Sequence, residues 1–163
     1  ETENTSSHAK ANEENTKQAL INPFLSLLGY DTQDPTEVEF EYHASFSFKN
    51  SDKVDYAIKA CDKPLFFLEA KKVSEDLSKH RAQLEYYMST NNDVKIGILT
   101  NGLVYMFYAH FEKLKTMDSD PFFVFDFENM DDEKKLRIID MASKVNSKKE
   151  MHNLIQNIAI NNL

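Results

Sequence analysis

Val54-Asp55-Tyr56-Ala57-Ile58-Lys59-Ala60-Cys61-Asp62-Lys63-Pro64-Leu65-Phe66-Phe67-Leu68-Glu69-Ala70-Lys71 is the stretch that decides the fold. Two runs of aliphatic and aromatic residues flank Cys61-Asp62-Lys63-Pro64, a short turn. The pattern predicts two strands, over residues 53–60 and 65–70, folded back on each other. Both runs are apolar on alternate and intervening positions, so they belong mid-sheet, covered on both sides. Three charged residues interrupt them: Asp55, Glu69 and Lys71.

With residues 61–63 as the loop, Ala60 faces Pro64, and counting back sets Asp55 opposite Glu69. Like charges facing each other across strands destabilise a sheet, and a bound cation turns that repulsion into attraction. A slip of one residue would put the two acids on opposite faces. Glu69 and Lys71 are two apart and share a face. Lys71 then stands beside the expected metal, where it can orient or deprotonate a water, or stabilise charge growing on a phosphorane. Either acid alone reads as an ordinary salt bridge. The trio at this spacing reads as a catalytic centre.

Outward from the hairpin, residues 38–43 alternate apolar and polar and predict another strand. Residues 94–99 predict a strand, Asn101-Gly102 a tight turn, and residues 103–108 its partner. Residues 122–127 suit one more strand. Ser74 is the expected cap of a helix running to about Met88, with Leu77, Leu84 and Met88 on its apolar stripe. Upstream, Asn12 suits a helix cap, and Leu20, Phe24, Leu27 and Leu28 recur at helical spacing until Gly29. Pro23 must kink that segment or open a second helical piece capped by Asn22. Two C-terminal helices are expected around residues 132–143 and 148–160. The order predicts an α/β domain: a mixed central sheet flanked by helices. Residues 1–11, polar and without period, predict a disordered tail, leaving 12–163 as one domain with a core over 12–108 and a C-terminal strand and helices over 109–163.

Gln83 and Tyr87 lie four apart on one face of the helix after the second catalytic strand, where they can fix Lys71 or contact a phosphate. Glu13 lies near the centre of the first helix's apolar face if the helical phase holds through Pro23, and Glu14 is further round. A carboxylate there can add a metal ligand or hold a metal-bound water; a first-turn acid favouring the helix dipole is the blander reading. Lys71-Lys72, Lys79, His80 and Arg81 form a small basic stretch, suited to a phosphate backbone or to a solvated face.

The composition bounds these readings. The chain has 163 residues, 41% hydrophobic and 28% charged, one domain's worth of a soluble protein. Nothing approaches the ~18 apolar residues of a membrane span. Cys61 is the only cysteine, which excludes an intrachain disulfide and fits a cytoplasmic setting. The net charge of −8 opposes simple coating of DNA. The five histidines lack metal-ligand spacing, and glycines only at 29, 97 and 102 leave no Gly-rich phosphate loop.

Asp55 followed by Glu69-Ala70-Lys71 resembles the PD-(D/E)XK nuclease signature, with Val54 in place of its proline. The wider pattern resembles the N-terminal nuclease domain of type I restriction enzyme R (restriction) subunits. It comprises Asn12-Glu13-Glu14-Asn15-Thr16-Lys17, then Leu20-Ile21-Asn22-Pro23-Phe24-Leu25 and Leu28-Gly29-Tyr30-Asp31. Gln83-Leu84-Glu85-Tyr86-Tyr87 is similar to that group's Gln-x-x-x-Tyr motif, and Leu99-Thr100-Asn101-Gly102 with Tyr105-Met106-Phe107-Tyr108 to its closing hairpin. The resemblance spans about 12–108. It implies a restriction-endonuclease-like fold and Mg²⁺-dependent hydrolysis of DNA phosphodiester bonds, with Mn²⁺ as a substitute. The metal would sit among Asp55, Glu69 and the Ala70 carbonyl. Glu13, or Glu14 after a one-residue shift, would be the helix-one acid, with Lys71, Gln83 and Tyr87 in support. The partners implied are DNA, a helicase/translocase motor, and modification and specificity subunits. The chain has no Walker motif, so a fragment and a free-standing relative are both open. The alternative function is a catalytically silent nuclease-fold module that binds DNA or a partner protein.

Overall fold

The computed structural model describes residues 12–44, 53–60, 62–109, 116–133 and 153. The tail expected over 1–11 lies outside these residues, as does nearly all of the two expected C-terminal helices.

Among the described residues six strands form one sheet in chain order: β1 (Val38–His43), β2 (Lys53–Ala60), β3 (Lys63–Ala70), β4 (Ile96–Thr100), β5 (Val104–Ala109) and β6 (Phe123–Asp126). Neighbours run antiparallel except β3 and β4, which are parallel. A parallel pair needs a crossover, and the helix between those strands supplies it. On one face pack α1 (Glu13–Thr16), a π-helical stretch (Lys17–Ile21) and α2 (Asn22–Leu27); α3 (Arg81–Thr90) packs on the other. Each face has its own core. Ile21, Leu25, Tyr56, Leu68 and Tyr105 fill the first, and Phe67, Leu84, Tyr87, Met88 and Leu99 the second. The mixed α/β sheet expected from the sequence is therefore present. Among the described residues no helix is long and apolar enough to cross a membrane.

The first helical segment departs from expectation in phase. Asn12 is its cap, accepting the Asn15 N–H at 2.8 Å. Pro23 opens a second helical piece, as expected, without interrupting the helical path. The Asn22 N–H reaches back to the Lys17 carbonyl, five residues away, and Pro23 falls in the first turn of α2, where its missing N–H costs nothing. Asn22 is not a cap. Its side chain accepts the Tyr56 hydroxyl at 2.9 Å. The wide turn changes the buried spacing to Thr16, Ile21, Leu25, five residues and then four. Leu27, expected on the apolar stripe, is 72% exposed.

The hairpin is tighter than expected. Ala60 pairs with Lys63, not Pro64, but a register shift between Ile58 and Lys59 restores the count, so that Tyr56 faces Leu68. β3 consequently starts at Lys63, ahead of residue 65. Asp76 rather than Ser74 caps the crossover, accepting from the Ser78 N–H at 3.1 Å. A 3-10 turn (Leu77–His80) then precedes α3. In the β4–β5 turn the Asn101 side chain accepts from the N–H groups of Leu103 and Val104, and Gly102 takes φ +84.

Candidate active site

β2 and β3 separate at Asp55. Their ladder ends at Tyr56–Leu68; continued, it would pair Val54 with Ala70. Instead the Ala70 N–H donates to Asp55 Oδ2 at 2.8 Å, so a carboxylate stands where a strand carbonyl would. The β1–β2 ladder also omits the pair Glu41–Asp55, and Glu41 carries φ 49. Val54 packs in the α3-side core, although alternation from Tyr56 would send it to the other. The backbone therefore turns at Asp55, a device that re-aims a side chain beside a site.

The other oxygen, Oδ1, accepts from Lys17 Nζ. The same ammonium lies 3.6 Å from Glu13 and 3.9 Å from Glu14. Burial works against the Lys17 cation, but hydrogen bonding and attraction to Asp55, then to Glu13 and Glu14, outweigh it and raise its pKa. Glu69 Oε1 accepts from Lys71 Nζ at 2.7 Å, with the two side chains only 3% and 10% exposed. Glu69 Oε2 is buried with no hydrogen-bond partner. Desolvation by burial, then the Asp55 charge, push the Glu69 acid up to about 7, against the pull of Lys71 and the Asp55 backbone.

The site residues thus fall into two ion-pair groups, Glu13–Lys17–Asp55 and Glu69–Lys71, which meet where the Ala70 N–H donates to Asp55 and the Asp55 charge acts on Glu69. Glu14 is more exposed than Glu13 and further from Lys17. Gln83 and Tyr87 are bonded to each other, Gln83 Nε2 donating to the Tyr87 hydroxyl at 3.0 Å; Tyr87 is buried in the α3-side core. The basic stretch is neutralised locally. Lys72 and His80 pair with Glu75 at 3.0 and 3.1 Å, and Arg81 with Glu85 at 3.1 Å.

Lys17 was legible only as part of the opening motif, although it lies four residues after Glu13 on the same helical face. The two lysines also alter the charge argument. Asp55 and Glu69, expected to face each other, are not paired in the β2–β3 ladder, which ends at Tyr56–Leu68, and each acid has an ammonium of its own, so the acids are compensated by the chain itself. Among the described residues no group of three or more His, Cys, Asp or Glu side chains is close enough to hold a metal. The set read from the sequence is smaller: two carboxylates and a carbonyl. The buried Oε2 without a partner and the all-oxygen donor chemistry fit a hard divalent cation.

The Glu69 shift predicts a pH effect. An acid raised in the folded state binds its proton more tightly there, so its contribution to stability is complete below the ordinary 4.5 and lost as pH rises through about 7. In metal-free protein, Glu69→Gln should remove that fall. Denaturant unfolding of both proteins across this range checks it, and parallel curves would contradict the shift.

Residues 12–119 match the family described as the type I restriction enzyme R protein N terminus. The chain belongs to this family. As an R-protein N-terminal domain it is similar in fold to a fragment described as an HsdR subunit of a type I restriction enzyme from Vibrio vulnificus YJ016. That likeness has TM-score 0.52 and 21% identity, covering 68% of this chain and 23% of that one. The type IIG restriction endonuclease BpuSI also matches, with TM-score 0.42 and 22% identity, over 88% of this chain and 18% of that one. The domain therefore spans less than a quarter of either relative's length. No curated protein matches it.

Proposed function

We propose that this R-protein N-terminal domain is a Mg²⁺-dependent DNA endonuclease that hydrolyses phosphodiester bonds within a restriction system. The observation that carries the reading is the buried Glu69–Lys71 pair beside Asp55, with one Glu69 oxygen left without a partner. A chain keeps an acid in such a place at a cost of several kcal/mol, and a ligand for that oxygen accounts for it. Asp55, Glu69 and the Ala70 carbonyl would hold Mg²⁺, or Mn²⁺ in its place. When bound, such an ion polarises the scissile phosphate and lowers the pKa of an attacking water.

The chain's own groups do the rest. Lys71, held by Glu69 at the mouth of the seam, orients the water and offers positive charge to the phosphate oxygens as they gain negative charge. Glu13 approaches the same seam from α1 and can hold a water there. The Gln83–Tyr87 pair on α3 positions the strand end that bears Lys71. DNA is the proposed substrate, a translocating motor and the modification and specificity subunits the proposed partners, and the cytoplasm the proposed setting.

One observation favours a second reading. Lys17 and Lys71 already neutralise Asp55 and Glu69, as they would in a silent module that binds DNA or a protein without cutting. Thermal melting with and without Mn²⁺ decides between them. The nuclease reading expects a rise in Tm that grows with Mn²⁺ concentration, and nicking or linearisation of plasmid under the same conditions. An unmoved Tm together with intact plasmid would sink it.

A further inference from the structure

Lys17 and Lys71 hold their acids differently. Lys71 takes one oxygen of Glu69 and leaves Oε2 buried and open. On Asp55 both oxygens are engaged: Oδ2 by the Ala70 N–H, which belongs to the strand backbone, and Oδ1 by the Lys17 ammonium. A cation that is to share Asp55 and Glu69 thus meets a free oxygen on one acid and an occupied one on the other. The Ala70 N–H is fixed by β3. Lys17 is the partner that can leave.

It also has somewhere to go. Glu13 and Glu14 lie 3.6 and 3.9 Å from the ammonium and are 42% and 65% exposed, against 14% for Asp55. The lysine can withdraw along its own helix and keep a counter-charge in water. The π-helical turn opens at Lys17. Across it the buried residue is Thr16, five before Ile21, while Lys17, four before Ile21, reaches Asp55. π-turns within helices are frequent at functional positions.

We propose that Lys17 is a positioning residue that serves as the resident counter-cation of Asp55, competing with the divalent cation for Oδ1 and setting the concentration at which the site loads. The inference rests on the nuclease reading above. Metal-free, Lys17 keeps Asp55 aimed into the gap and spares it from repelling Glu69. On loading it swings to Glu13 and Glu14.

Calorimetric titration of Mn²⁺ into wild type, Lys17→Met, Lys17→Gln and Lys17→Arg tests this at fixed pH and ionic strength. Removing the competing charge should tighten Mn²⁺ binding about fivefold in Lys17→Met, the worth of one partly exposed ion pair. The same variant should melt lower without metal. Lys17→Arg, which keeps the charge, should stay near wild type. A lysine that merely supported the fold would weaken Mn²⁺ binding on removal, so a weaker or unchanged Kd in Lys17→Met overturns the proposal while leaving the nuclease reading standing. Absence of Mn²⁺ binding to all four proteins overturns both. Should Lys17→Met fail to fold, Lys17→Gln, which keeps a hydrogen-bond donor for Asp55, carries the same comparison.

Discussion

Asp55→Ala and Lys71→Ala are each expected to abolish measurable Mg²⁺-dependent DNA cleavage while leaving a folded domain. Loss of a group that positions or protonates at the reacting centre costs about 100- to 10,000-fold, and loss of a metal-holding carboxylate a comparable several kcal/mol. The two variants should differ in stability. Lys71→Ala strips a buried carboxylate of its cation, which ordinarily costs about 3–5 kcal/mol. Here Glu69 already sits with its acid raised to about 7, so it takes up a proton near neutrality and the cost shrinks. Asp55→Ala orphans the Ala70 N–H and leaves the Lys17 ammonium to Glu13 and Glu14, a loss of roughly 1–3 kcal/mol. Plasmid cleavage, with circular dichroism and melting as controls, checks this. Full cleavage by both variants would refute the assignment.

Gly102→Val is expected to cause a large loss of stability at the closing hairpin. Gly102 lies at φ +84, and a Cβ there would meet Leu20 Cδ1 at 2.8 Å, Leu20 Cβ at 2.9 Å and Thr16 Cγ2 at 3.1 Å. The left-handed backbone costs a branched residue about 1–2 kcal/mol, and overpacking adds about 1–3. Together they should lower Tm by roughly 5–15 °C for a domain of this size. Thr16 and Leu20 bracket Lys17 and follow Glu13, so pushing them away also moves the helix-borne side of the site. Gly102→Ala should fall between the variant and wild type. A Val variant melting within a degree or two of wild type would contradict this close approach.

Much of this architecture is legible in the residues because their local and global preferences agree. The bounds of β1 and β2 follow directly from alternation and the turn, and Asn12 caps where its side chain demands. The hairpin shows how a count can reach the right register through a wrong turn. Ala60 meets Lys63, and an irregularity at Ile58/Lys59 absorbs the difference by Tyr56–Leu68, where the ladder ends short of Asp55 and Glu69. Asp76 outcompetes Ser74 as a cap because its carboxylate takes both the Ser78 N–H and hydroxyl. What could not be read is the helix phase. Pro23 opens a second helical piece, one of the two outcomes expected of it, but the extra residue taken into the preceding turn changes the buried spacing to Thr16, Ile21 and Leu25. Nor could the backbone turn at Asp55 be read, since it arises from β1, β2 and β3 together and not from any one of them.

The single parallel seam has a consequence for how the domain assembles. β1-β2-β3 and β4-β5-β6 are each antiparallel meanders of chain neighbours, whereas β3 reaches β4 only across the whole crossover. Contacts close in sequence form early and distant ones late. Lys71 is stitched to the far meander through its own N–H, which donates to the Thr100 carbonyl at 2.8 Å. Its place beside Glu69 therefore depends on the two meanders being joined, so the acid–lysine motif of one half of the sheet is anchored by the other.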